Sequence, residues 1–222
     1  MSGFSEDFQR FPLTDTAVEI GGREWTIRAV PTEDALLEGK VDYDRFPFGL
    51  LLWESAVGLA RHLAEKPEQI QGRRVLELGA GVGLAGIVAQ WLGAQVWQTD
   101  HQSDALALAQ INAAANGAGT MRQFLADWRH WNHSGQYDVL LGADILYERA
   151  MRPYLIEVFR AALAPGGTLM LADPGRAAAL EFLPELEKAG WKFGVSAERV
   201  LLTGEGRKNR PVEVTLYTGR RI

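Results

Sequence analysis

From Arg74 onward, short apolar runs alternate with longer stretches in which apolar residues recur at helical spacing. Val75-Leu76-Glu77-Leu78 precedes Leu84 to Leu92, and Gln95-Val96-Trp97-Gln98-Thr99 precedes Ser103 to Ala115. The alternation continues with Met121 to Ala126, Tyr137 to Gly142, a helix from about Arg149 to Ala162, and Thr168 to Ala172. Pro165-Gly166-Gly167 reads as the turn between those last two, and Gly93 and Gly117 fall just past two predicted helices, where a left-handed residue is wanted. Strands that are apolar nearly throughout and alternate with helices predict a parallel sheet covered on both faces. The expected fold class is therefore α/β, a doubly wound and mostly parallel Rossmann-like sheet.

The two flanks depart from this pattern. Thr16 to Ile20 and Trp25 to Val30 enclose Gly21-Gly22, a pair that tolerates positive φ, and predict a small N-terminal β-hairpin. Residues 31–49 carry Pro31, Gly39, Pro47 and Gly49 without sustained periodicity and read as a loop or lid, followed by a helix from about Leu52 to Glu65. At the other end, Lys192 to Leu202 and Val212 to Thr218 are separated by too few residues for a parallel crossover, so an antiparallel hairpin is expected. Pro184 is expected to kink or split the helix from Ala177 to Ala189. The division that follows is an extension over 1–49 and one folding unit over 50–222.

Composition narrows the chemistry. The chain has 222 residues, 47% hydrophobic and 23% charged, so a packed core is expected rather than disorder. It contains no cysteine, which excludes disulfides, thiolate metal sites and a thiol nucleophile. A formal charge of −5 argues against broad binding to a nucleic-acid backbone. The opening residues are acidic and no apolar run approaches a membrane span, so a cytoplasmic protein is expected, with a monomer as the default. The histidines His62, His101, His130 and His133 have no ligand spacing; His130 and His133 read as solvated, and no metal is expected.

The strongest local signal is Glu77-Leu78-Gly79-Ala80-Gly81-Val82-Gly83, after a predicted strand and at the opening of a predicted helix. Glycines there let the backbone turn tightly and approach a ligand, and the helix presents free N–H groups. A nucleotide-bearing cofactor is the natural guest. Gly81, Gly83 and Gly86 also fit a dinucleotide fingerprint, with Asp100 ending the next strand as its ribose acceptor. Against that reading, Glu77 suits a cationic amino-acid ligand better than a pyrophosphate, no Tyr is followed four positions later by Lys, and no P-loop occurs.

With an acid ending the second strand and a final antiparallel hairpin, these residues resemble the seven-strand S-adenosylmethionine-dependent methyltransferases. Asp127-Trp128, Asp144-Ile145-Leu146-Tyr147 and Trp53-Glu54-Ser55 narrow the resemblance to the family-16 lysine methyltransferases, which carry a D-x-x-Y motif at that place. Asp173-Pro174-Gly175-Arg176 is similar to a segment of the electron-transfer-flavoprotein lysine methyltransferase and of bacterial proteins described as nicotinamide N-methylases. Those relatives differ in substrate, so a protein lysine and a small-molecule amine both stand as acceptors.

The resemblance implies a role for each residue. Gly79, Gly81, Gly83 and Ala143 line the cofactor, Asp100 accepts its ribose hydroxyls, and Glu77 reaches its amino group. Trp128 lies against the adenine while Asp127 reads its exocyclic amine, and Trp53 closes over the methionine end, where an aromatic face favours a cation. Asp144 and Tyr147 line the target amine. A carboxylate favours the charged form of an amine, so Asp144 is assigned as an orienter rather than a sufficient base.

Overall fold

The computed structural model describes residues 11–37, 47–204 and 209–222. Seven strands form the main sheet in the order β5-β4-β3-β6-β7-β9-β8: β3 (Arg74–Leu78), β4 (Gln95–Asp100), β5 (Arg122–Leu125), β6 (Tyr137–Ala143), β7 (Leu163–Asp173), β8 (Trp191–Val200) and β9 (Val212–Arg221). β3 to β7 pair in parallel, and β9 runs antiparallel to both β7 and β8. The α/β fold expected from the apolar alternation is thus the fold observed.

Alternation along each strand decides which helices it meets. Val75, Val139, Leu141 and Met170 join the core beneath α2 (Glu54–Glu65) and α3 (Leu84–Trp91). Leu76, Leu78, Leu140 and Leu169 point the other way, onto α5 (Arg152–Ala162) and α6 (Ala177–Lys188). α4 (Ser103–Ala115) packs on the first face, where Leu108 and Ala113 enter the same core.

The N-terminal strands β1 (Thr14–Ile20) and β2 (Arg23–Ala29) pair antiparallel in a sheet of their own. Strand edges need partners, and two asparagines four positions apart supply them, Asn112 on α4 and Asn116 just past its end. Asn112 and Asn116 each accept from one backbone N–H of β2 and donate to one of its carbonyls, through Arg28 and Thr26, at 2.8–3.0 Å. Asn112 Nδ2 also donates to the Val82 carbonyl at 2.9 Å, tying the hairpin to the glycine turn after β3. Trp25, Ile20 and Ile27 sink into the same core as α2.

Three expectations are corrected. α6 continues through Pro184 as one helix and is not split; Pro184 and Leu180, whose carbonyl the proline nitrogen cannot bond, both lie on its exposed side. β7 begins at Leu163, ahead of the expected turn; Leu163 pairs with Tyr137, and the register shifts before Val139 meets Thr168. His133 is not a solvated loop residue: its ring stacks on Phe124 with centroids 4.3 Å apart, and Nε2 lies 2.8 Å from the Tyr137 hydroxyl. In the expected lid, α1 (Glu33–Leu37) and a 3-10 turn over Phe48–Leu50 are formed, while 38–46 lie outside the described residues.

Candidate functional site

Strand order reverses between β3 and β6, so the loops leaving their C-terminal ends diverge and open a crevice. Gly79 and Gly81 turn the chain there with φ of +61° and +53°, conformations that L side chains rarely adopt. Asp100, at the end of β4, fastens the turn: its Oδ2 accepts from the Gly81 N–H and its Oδ1 from the Gln102 N–H, both at 3.0 Å. His101 Nδ1 lies 3.3 Å from the same carboxylate, which holds the imidazole above its ordinary pKa.

A cavity of about 350 Å³ occupies the crevice. Gly79, Gly81, Asp100, Trp128, Ala143, Asp144 and Tyr147 line it, together with Trp53. These are the residues of the expected site that the fold brings together. Sequence reasoning missed Phe48 and Gly49, which form a wall against the glycine turn; a Cβ at Gly81 would stand 3.2 Å from the Gly49 carbonyl oxygen. Their signal was available, since Pro47 and Gly49 mark a turn directly before α2.

Three expected site residues do not line the cavity. Glu77 shares a strand face with Val75, so it points under α3. Its Oε2 accepts from Gln98 Nε2 at 2.8 Å, and the carboxyl also accepts from the Gly86 backbone N–H. The side chain is buried, which pushes its pKa up to about 7 against the pull of those hydrogen bonds. Gly83 faces α4, where a Cβ would stand 2.6 Å from the Ala109 Cβ; its absence lets α3 and α4 approach. Asp127 caps the turn over Trp128–His130 by accepting from the Arg129 N–H and is forked by the Arg129 guanidinium, which holds it well below the usual carboxylate range.

A second compartment of about 270 Å³ adjoins the first and shares Phe48, Trp53, Asp144 and Tyr147 with it. Its own residues are Glu33 and Arg176. Asp144 has φ +58°, an uncommon value for a residue with a side chain, and its backbone N–H donates to the Ala172 carbonyl at 2.8 Å. The Arg176 guanidinium forks onto its two oxygens at 2.6 and 2.9 Å. That guanidinium also lies 5.5 Å from the centre of the Trp53 ring, and the Trp53 indole N–H donates to the Phe48 carbonyl at 3.1 Å. Among the described residues, Arg176 thus places a cation over the Trp53 ring. Asp173 sets the turn that carries Arg176, its Oδ1 accepting from the N–H groups of Gly175 and Arg176 at 2.8 and 2.7 Å.

The fold and crevice define a class: a doubly wound α/β domain with a nucleotide-type site at its switch point. A family model described as lysine methyltransferase matches residues 37–189, and the chain belongs to that family. EEF1A lysine methyltransferase 3 of Mus musculus is 36% identical over 130 residues, covering 57% of this chain and 56% of the mouse protein. Protein N-lysine methyltransferase METTL21A of Danio rerio is 35% identical over 137 residues, covering 59% of this chain and 62% of that protein. The chain thus spans between half and two thirds of the length of these curated relatives. The 16S rRNA methyltransferase RsmC of Thermus thermophilus, solved with AdoMet and guanosine, superposes with a TM-score of 0.62 at 20% identity over 95% of this chain and 51% of its own. That likeness speaks for the fold.

Proposed function

We propose that this chain is an S-adenosylmethionine-dependent N-methyltransferase acting on a lysine side chain of a protein. The observation that carries the reading is the paired compartment, a glycine-lined cavity joined at Asp144 and Tyr147 to a smaller, Trp53-walled one.

The residues present fit the cofactor. Gly79 leaves space that a Cβ would fill, standing 2.9 Å from Ile145 Cγ2 and 3.5 Å from Trp128 Cζ2. Asp100 is a buried carboxylate at the cavity wall, able to accept from vicinal hydroxyls with lone pairs the turn leaves free. Trp128 offers an aromatic face to a base. Glu77 and Gly83 act from behind, Glu77 by holding Gln98 and the start of α3, and Gly83 by letting α4 close on the turn. Asp127 serves by fixing the turn that presents Trp128.

S-adenosylmethionine supplies a methyl carbon already activated by its sulfonium, so alignment and exclusion of water remain for the protein. Asp144 accepts a hydrogen bond from the target amine and orients its lone pair, with Tyr147 and Phe48 forming the mouth; their rings stand 6.0 Å apart edge to face. The lysine acceptor is supported by family membership and by the names of the relatives. A monomeric, cytoplasmic enzyme belongs to the same proposal, with 50–222 as its methyltransferase folding unit and 1–49 as an extension that contributes Phe48 and Gly49 to the cavity wall. Among the described residues, no helix is long and apolar enough to cross a membrane.

Titration calorimetry tests the cofactor. Saturable binding of S-adenosylmethionine and S-adenosylhomocysteine with none of NAD is expected. Binding of NAD alone would replace this reading with that of a dinucleotide enzyme.

A further inference from the structure

Methyl transfer to an amine needs the nitrogen lone pair, and a lysine side chain ordinarily titrates near 10.4, so at neutral pH about one in a few thousand is uncharged. A carboxylate in the acceptor compartment worsens this, because an opposite charge favours the ammonium. Asp144 is such a carboxylate, buried to 7% exposure. Left alone it would be an ammonium trap.

It is not alone. The Arg176 fork spans both of its oxygens, a geometry in which the guanidinium cancels the charge but leaves acceptor capacity, since a carboxylate has about four lone-pair sites and the fork uses two. Resting on the methyl-transfer reading above, we infer that Arg176 is a positioning residue that neutralises Asp144, so that the compartment beside Trp53 receives the target amine uncharged.

The surroundings of the pair agree. The Trp53 ring already carries the Arg176 guanidinium, 5.5 Å from its centre, so an incoming ammonium would meet like charge in the compartment. Partial desolvation, with the charges of Glu148, Asp100 and Asp144, raises the Tyr147 hydroxyl above its ordinary pKa. The charged groups facing the pair among the described residues are Glu33 on α1, Asp173 at the end of β7, and Asp100 and Glu148, whose charges act on Tyr147. Asp173 is buried and turned to the backbone, its Oδ1 accepting from the N–H groups of Gly175 and Arg176. Among the described residues, Glu33 is the acid besides Asp144 that lines the compartment. When the reaction runs, the amine lone pair forms the N–C bond while the C–S pair returns to sulfur; the product nitrogen is cationic and gives its extra proton to water. Arg176 favours that loss for the reason it favours an uncharged reactant.

n-Butylamine serves as a probe for the lysine side chain, and ligand-observed NMR gives its affinity at pH 7 and pH 9.5. The wild type is expected to bind it about tenfold or more tightly at the higher pH, where the uncharged form is far more abundant. Arg176→Met is expected to bind at least as tightly at pH 7 as at pH 9.5, through the freed carboxylate, and Arg176→Lys to restore the wild-type direction. The same pH dependence in wild type and Arg176→Met overturns the inference, as does wild-type protein that takes no amine at either pH. Failure to bind S-adenosylhomocysteine would instead count against the methyl-transfer reading, leaving the amine comparison intact. In transfer assays, Arg176→Met is expected to reach its rate plateau about one pH unit later than wild type; a profile merely scaled down indicates a structural role.

Discussion

The Gly81 N–H donates to Asp100 Oδ2 at 3.0 Å, so the acid that ends β4 fastens the turn that follows β3. One side chain thereby shapes the crevice and lines it. Asp100→Ala removes the acceptor for both Gly81 and Gln102. We expect affinity for S-adenosylhomocysteine to fall about tenfold to a hundredfold, with stability lower by about 1–3 kcal/mol. Calorimetry and thermal melting read the two effects separately. Unchanged affinity would remove Asp100 from the cofactor site.

Glu77 gives a pH signature with a definite sign. Its folded pKa of about 7 stands above the ordinary 4.5, so between those values the folded protein holds a proton that the unfolded chain has released. Its contribution is complete below about pH 4.5 and is lost as pH rises through about 7. The loss is of order 3 kcal/mol. Glu77→Gln keeps the shape and cannot titrate, so stability of the mutant relative to wild type should rise across that window in denaturant titrations. A constant difference from pH 4.5 to 7.5 would mean that Glu77 is charged throughout.

Gly86 tests the same buried contact sterically. Its φ is ordinary, so strain enters through space alone. A Cβ there would stand 2.4 Å from Glu77 Oε2 and 2.8 Å from Gln98 Nε2. Gly86→Ala is expected to lower stability by about 1–3 kcal/mol despite the better helix propensity of alanine. Combining it with Glu77→Ala should recover much of that loss; simple additivity would contradict the contact.

The fold was readable from the sequence because long apolar strands alternate with helices, and the parallel core and C-terminal hairpin follow from that spacing. The placement of Gly79, Gly81, Asp100, Trp128 and Asp144 around one cavity was readable as well, since each follows a strand at its C-terminal end. That Glu77 stands behind the cavity wall was visible in the period: Val75 and Glu77 share a face, and that face belongs to α3. The Arg129 fork on Asp127 joins residues two positions apart, yet nothing in the spacing says that the two side chains pair. The Arg176 fork on Asp144 spans 32 positions and depends on the turn set by Asp173, so the sequence showed both residues without their pairing.

Asp144 should separate binding from transfer. Asp144→Ala is expected to leave S-adenosylhomocysteine affinity within about twofold and to lower transfer about a hundredfold, as loss of reactant alignment does. Asp144→Asn tolerates the φ of +58° and keeps one acceptor oxygen, so it should fall less. Equal losses of affinity and transfer in Asp144→Ala would place Asp144 in the cofactor site instead.

Transfer of label from methyl-labelled S-adenosylmethionine, incubated with the purified protein and a native cell extract, then resolved into protein and small-molecule fractions, is the most direct test. The expected result is a discrete labelled protein band whose modification maps by mass spectrometry to a lysine side chain, absent with Asp144→Ala. Label confined to small molecules would contradict the protein-lysine acceptor, and label in neither fraction would contradict methyl transfer by this site.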